Sequence, residues 1–315
     1  MCPICESKNF SKTYKLYDDR YGYAGNFNLF RCSDCGHKFL DHQFTPEEIG
    51  NLYSNYYPRS EMKIEDYSPI KYKKGFKSWF NGERGRAYTY VPKNVRVLDI
   101  GCGFGESLGY HKIRGCDVYG VEADENIKRV ADTFGFNVKV GLFSANDYEK
   151  EFFEYVTMDQ VIEHVTDPYE ILTGIFKILK PNGYLVLSTP NSNGWGAWLF
   201  GKRWINWHPP YHLHHFSKKS LIIISQKEGF EVEKIKTITS SEWLFYQWIH
   251  LITFPQRGEK SIFWNSRTVE RTLFQKILLK LISLLHKTKI NHVITRFFDT
   301  IGLGDNLIVV LRKKA

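Results

Sequence analysis

Residues 97–105 read Val-Leu-Asp-Ile-Gly-Cys-Gly-Phe-Gly. This nonapeptide constrains the chain more than any other stretch. An apolar run (Val95–Ile100) reads as a buried strand, and it ends in a turn with glycines at 101, 103 and 105. A helical pattern follows over 105–114. Glycines there let the backbone turn tightly and let a ligand approach main-chain N–H groups with no Cβ in the way. Strand, glycine turn and helix together predict a nucleotide-like ligand at a helix start.

The dinucleotide pattern Gly-x-Gly-x-x-Gly fails, because its third glycine falls on Glu106. Asp99, at the strand end, would repel a pyrophosphate and suits a ligand with a cationic amino-acid end. Glu122 ends the next apolar strand, Val118–Val121, where a carboxylate accepts ribose hydroxyls. The Asp99–Glu122 pair resembles the cofactor site of class I S-adenosylmethionine (SAM) dependent methyltransferases. The segments "FEYVTMDQVIEHVTDP" (153–168) and "LKPNGYLVLSTPN" (179–191) resemble the fourth and fifth strands of that family. The resemblance covers about 95–240 and the last strand. It implies an α/β, Rossmann-like seven-stranded sheet and SAM as cofactor. Asp99, Gly101, Cys102, Gly103 and Gly105 then meet the methionine end. Glu122 and Ala123 meet the ribose, Leu142 and Phe143 the adenine, and Gln160 lies beneath the methionine.

Cys2-x-x-Cys5 and Cys32-x-x-Cys35 form two knuckles with 26 residues between them. Four soft thiolates close a tetrahedral zinc shell and leave no place for water, which points to a structural zinc ribbon. Tyr14–Tyr17 and Asn28–Arg31 are its expected strands, and His37 is expected on the surface. Cys102 and Cys116 belong to the α/β core.

The 315 residues divide accordingly. Residues 1–40 form the ribbon, and 41–90 a helical linker covering the cofactor, with Tyr57, Lys73 or Arg84 reaching the SAM carboxylate. Residues 91–240 plus 304–315 form the methyltransferase core. Within it, strands are expected near 95–100, 117–121, 137–140, 155–158, 183–188 and 230–237, and a last one at 306–312. Helices are expected at 105–114, 124–134, 168–179 and 218–228. Two segments are insertions: 191–217, an acceptor loop, and 241–303, a helical insertion. The formal charge is +9, of which residues 255–315 carry +8 (12 Lys/Arg against 4 Asp/Glu). The pattern over 269–286 is a basic amphipathic helix, with Lys276, Lys280 and Lys287 within about 40° of one another. It is either a lid or a helix lying on an anionic membrane. No run is long and apolar enough to span a bilayer. No apolar leader opens the chain, and a cytoplasmic protein with reduced thiols is expected, peripheral at the inner membrane face if that helix binds lipid.

Methyl transfer requires acceptor and methyl in line, and removal of a proton where the acceptor is a hydroxyl. Glu163-His164 follows the fourth strand of the family pattern. The acceptor loop holds His208, His212, His214 and His215 and four tryptophans. His164, His212 and His215 are therefore the candidate bases, with tryptophan faces available for stacking on sugar rings. A metal site among these histidines is disfavoured by the absence of a carboxylate in the loop. The stretch "HLHHFSKKSL" resembles a segment of bacterial zinc-ribbon methyltransferases, many from surface-polysaccharide contexts. The resemblance implies O-methylation of a glycan, a lipid-linked sugar or a related hydroxylated acceptor. An RNA methyltransferase and a non-catalytic SAM-binding partner protein are the alternatives.

Overall fold

The computed structural model describes residues 1–41, 44–56, 64–264 and 272–314. Tyr57 and the start of the 269–286 pattern lie outside them. The ribbon strands are β1 (Phe10–Leu16), β2 (Phe27–Cys32) and β3 (Lys38–Leu40). The core strands are β4 (Arg96–Ile100), β5 (Asp117–Glu122), β6 (Asn137–Val140), β7 (Phe153–Asp159) and β8 (Leu179–Pro190). After them come a short β9 (His214–His215), then β10 (Phe230–Thr237) and β11 (Asn306–Lys313).

The large sheet runs β10-β11-β8-β7-β4-β5-β6. Its β4 to β8 segments are parallel, and β11 is antiparallel to both β8 and β10. Strands buried on both faces must be apolar throughout. Among the buried residues of β4 the exception is Asp99, which marks it as a functional candidate. From β4 the chain moves to β5 on one side and later returns to β7 on the other. The crevice outside the carboxyl ends of β4 and β7 is thus the switch point where such sheets bind ligands.

Short helices α1 (Pro46–Asn51) and α2 (Phe76–Asn81) precede the sheet, and α3 (Glu106–Lys112), α4 (Ile127–Phe134) and α5 (Pro168–Ile178) cross over between strands. α6 (Trp195–Phe200) and α7 (Lys218–Lys227) flank β9. α5 starts where Asp167 accepts from the amides of Tyr169 and Glu170 and Pro168 takes the first turn. The 68 residues between β10 and β11 hold α8 (Ser241–Ile252), α9 (Leu273–Lys287) and α10 (Ile290–Thr300).

The ribbon packs directly on the core. Cys2, Ile4, Cys32, Cys35 and Phe39 share one hydrophobic cluster with Leu98, Met158 and Leu187 of the large sheet. Tyr169 donates to the Ile4 carbonyl (2.6 Å), and Lys227 pairs with Glu6. β9 extends the ribbon sheet, with Lys38 opposite His215 and Phe39 opposite His214. The same pairing corrects the expectation for His37. It is fully buried, because β9 lays His214 (5.4 Å) and Phe216 (4.9 Å) across its ring. No described helix is long and apolar enough to cross a membrane.

Candidate functional site

Asp99 is buried at the end of β4. Its carboxylate accepts from Thr157 Oγ1 at 2.7 Å and from the Ser107 hydroxyl. Loss of solvation pushes its pKa up to about 6, against the pull of those two hydroxyls. Ser107 and Thr157 carry no sequence signal as a pair. They meet because α3 begins, and β7 runs, beside the same strand end. Gly101, Gly103 and Gly105 all have positive φ (74°, 56° and 78°), as the turn demands. A Cβ on Gly103 would meet nothing within 4 Å, so the turn is open on that side. Gly103 N donates to Glu122 Oε2 at 2.8 Å, and Asp124 N to Oε1 at 3.0 Å. Turn and second carboxylate are thus one unit, with Ala123 exposed beside it. Cys102 faces inward, its Sγ close against the Cα of Gly120, and burial pushes its thiol up. Gly141 N donates to the Glu122 carbonyl (2.8 Å), which brings the segment after β6 alongside. There Leu142 is exposed, while Phe143 is partly buried and stacks on Tyr148.

Gln160 follows β7 with φ 61°, and its amide donates to Ser188 Oγ (2.9 Å) and Asn306 Oδ1 (2.8 Å). It lines a small open cleft together with Arg86, Asn206, Thr239, Trp243 and Asp305. Sequence reasoning missed these last residues, which come from the linker (Arg86), the acceptor loop (Asn206), the helical insertion (Trp243) and the core ends that flank it (Thr239 and Asp305). Arg84, by contrast, donates to the Gly75 carbonyl (2.9 Å).

Three turns of chain assemble a second group. The Glu163 carbonyl accepts from both Leu213 N (2.8 Å) and His214 N (3.1 Å), which draws the acceptor loop onto the end of β7. His212 then lies edge-on to His164, with ring centroids 4.5 Å apart. The ligand atoms of Glu163, His164 and His212 fall within 4.8 Å of one another. The carboxylate missing from the loop is supplied by the fold. Glu163 Oε2 accepts from Thr189 (3.0 Å), while Oε1 is buried with no partner among the described residues. Burial raises Glu163 to about 8, lowers His164 to about 4 and holds His212 well below the ordinary range. His212 Nδ1 donates to the Asn206 carbonyl (2.9 Å), which leaves Nε2 as the lone-pair nitrogen. His215 lies one ring further, edge-on to Trp207 at 5.0 Å and 6.3 Å from His212. Trp195, Trp204 and Trp207 are buried and pack the loop, so of its four tryptophans only Trp198 offers an open face.

The four ribbon cysteines also converge. Sγ separations are 3.6 Å for Cys2–Cys35 and 3.5 Å for Cys5–Cys32, and all four lie within 4.8 Å of one another. Four thiolates around one zinc at about 2.3 Å stand about 3.8 Å apart, so the set fits that ion.

A family model described as a methyltransferase domain matches residues 64–235. The ubiquinone biosynthesis O-methyltransferase of Pseudomonas fluorescens is 31% identical over 195 residues, 57% of this chain and 79% of its own length. That of Pseudomonas savastanoi is 28% identical over the same shares. Among solved structures, phosphoethanolamine N-methyltransferase 2 of Haemonchus contortus in complex with SAM aligns with a TM-score of 0.51 at 18% identity. That alignment covers 88% of this chain and 62% of the other, and it bears on the fold alone. With the family model spanning more than half of its length, the chain belongs to the methyltransferase-domain family, as a SAM-dependent class I methyltransferase.

Proposed function

We propose that this enzyme O-methylates a hydroxylated acceptor, of the glycan or lipid-linked class, at the cytoplasmic face of a membrane. The observation that carries an oxygen acceptor is the Glu163–His164–His212 group, joined to the cleft through Asn206, whose carbonyl accepts from His212 Nδ1. Transfer to an amine that is already neutral needs no such device, whereas a hydroxyl must lose a proton. The similar Pseudomonas proteins are named as O-methyltransferases, which agrees with an oxygen acceptor.

In this reading Asp99 and the 101–105 turn, Cys102 included, hold the methionine end. Glu122 and Ala123 hold the ribose, Leu142 and Phe143 border the adenine, and Gln160 lies below. Bound SAM supplies an activated methyl group. The protein orients the acceptor against it and takes the hydroxyl proton. His164 and His212 are neutral at pH 7, because burial lowers both, so either has a lone pair for that proton. The same three side chains have the donor set for a divalent cation, which would acidify the hydroxyl in place of a histidine base. His215 backs His212. Cys2, Cys5, Cys32 and Cys35 hold a structural zinc that keeps β3 in place under β9. An RNA acceptor has less support. The exposed lysines of α9 stand beside exposed leucines, a mixed apolar surface poorly suited to a phosphate backbone.

The test is transfer of labelled methyl from SAM into lipid, polysaccharide, RNA and small-molecule fractions, with and without added Mg²⁺. Glu163→Gln and His212→Ala should each lower kcat by about 10²–10³ and leave the KM for SAM unchanged. Unchanged kcat in both variants overturns the hydroxyl reading, and label in RNA replaces the acceptor class.

A further inference from the structure

α10 is inside out. Asn291, His292, Thr295 and Arg296 point inward and are buried. Val293 and Phe297, one and two turns along the opposite side, are 60% and 59% exposed, and Ile290 and Ile301 continue the same outward row. Polar burial normally costs stability unless it is satisfied. Here it is. Arg296 donates to the carbonyls of Trp79 (2.5 Å) and Thr239 and pairs with Asp299 at 2.7 Å. The inward polar set fixes the helix, and the apolar row is therefore held outward by design of the packing.

α9 repeats the arrangement. Ile282 is its buried anchor, while Phe274, Ile277, Leu281 and Leu284 form an outward stripe at helical spacing. Lys276, Lys280 and Lys287 flank that stripe on one side, about 100° from its centre at 100° per residue. No acidic residue occurs between Thr272 and Lys289. Of the two readings of this helix, a lid or a membrane-surface helix, the outward apolar stripe favours the second. Trp198 of α6 is also 81% exposed, and its helix is tied to α10 by Trp195 stacked on Phe298 at 4.4 Å.

We infer that the outward faces of α9 and α10 seat this enzyme on an anionic lipid bilayer. An apolar surface of this extent needs a cover. A lysine margin with no acid in it complements anionic headgroups, with the lysine stems lying along the acyl boundary. A second copy of the chain would set lysine against lysine. The helices lie in the interface plane, as none described can span it. The same elements reach the cleft: Gly82 and Gly85 follow α2, to which Arg296 is bonded, and Thr239 and Asp305 follow on from the Arg296–Asp299 pair. Seating α10 on lipid thus sets the cleft at the membrane, a step that rests on the hydroxylated lipid-linked acceptor proposed above.

The experiment is co-sedimentation of the full chain with vesicles of phosphatidylcholine alone and of phosphatidylcholine mixed with phosphatidylglycerol. The wild type should bind the anionic vesicles and release in high salt. Leu281→Glu with Phe297→Glu should weaken binding about a hundredfold, and Lys276, Lys280 and Lys287→Gln about tenfold. Melting temperature and SAM affinity, measured without vesicles, should stay at wild-type values. No binding to anionic vesicles overturns the inference, as does equal binding by the glutamate variant. A concentration-dependent dimer abolished by the glutamate variant also overturns it, and assigns the face to a second copy. Vesicle binding without methyl transfer to lipid leaves the docking surface standing and removes the lipid-linked acceptor.

Discussion

The proposed cofactor half and the proposed acceptor half of this enzyme are built in opposite ways. Between Arg96 and Asp124, one strand end, one turn and the next strand end bring Asp99, the three glycines and Glu122 together, and adjacent backbone does the fastening. The acceptor loop, 191–217, is held by distant segments. β3 pairs with β9, and Glu163 accepts two loop amides. Gln247 of α8 bonds both Ile205 N (2.8 Å) and the Arg203 carbonyl (2.9 Å). Lys38 reaches the Ser192 carbonyl (2.7 Å) and Asn193 Oδ1 (2.8 Å). A site fastened locally tolerates loss of remote elements, whereas one fastened remotely does not.

Removal of the proposed zinc should separate the halves most strongly, since structural zinc contributes apparent folding free energy of about 10 kcal/mol or more. A strong chelator should strip hydrogen-exchange protection from Phe39 and the β9 residues His214 and His215, and abolish methyl transfer. The β4 and β5 amides should keep their protection, and SAM should still bind. Equal loss of protection in both halves would break the comparison, and the shared cluster of Cys2, Cys35 and Leu98 makes that a real hazard.

The mirror experiment is Asp99→Ala. It should weaken SAM binding by at least about a hundredfold, equivalent to about 2.7 kcal/mol, by calorimetric titration, while leaving β3–β9 protection intact. Retained SAM binding would remove Asp99 from the site.

The same contrast explains what the sequence disclosed. The strand edges of the α/β core and the Asp99–Glu122 spacing follow from local patterning, because each glycine and carboxylate acts within a few residues of the others. His37 was misplaced for the opposite reason. Its burial depends on His214 and Phe216, some 177 positions away for the first of these. In sequence Glu163 only follows the fourth strand, and the acceptor-loop histidines lack a carboxylate. No spacing rule joins residue 163 to residue 212, and the contact exists only through the carbonyl that accepts from Leu213 and His214. Three tryptophans read as open faces are packing, since a buried indole and a stacking platform look alike in sequence.

A smaller effect tests how tightly the loop is tied to the last strand. Gly196 N donates to Asp305 Oδ1 at 2.7 Å, and a Cβ on Gly196 would overlap that carboxylate. Gly196→Ala should cost about 1–3 kcal/mol by overpacking, read as a lower melting temperature. The KM for acceptor should rise with SAM affinity within about twofold. A matching loss of SAM affinity would mean that the two halves are mechanically coupled after all.

The mildest probe is pH, and it isolates Asp99 within the cofactor half. Burial raises its pKa from the ordinary value of 3.8 to about 6 in the ligand-free protein. The protonated carboxyl therefore contributes stability that is fully present below 3.8 and is lost as pH rises through about 6. SAM has the opposite preference, because its cationic end needs the carboxylate. SAM affinity should be level above pH 7 and about tenfold weaker at pH 5, while the melting temperature of the ligand-free protein rises over the same interval. Asp299, Asp305 and Glu163 are also raised by burial and add to the stability trend. The decisive comparison is therefore with Asp99→Asn, in which the affinity step should vanish and the stability trend shrink but persist. An affinity that stays level from pH 7 to pH 5 in the wild type would mean that Asp99 is already held ionised by its two hydroxyl donors. The hydrogen bonds from Ser107 and Thr157 would then outweigh the cost of burial.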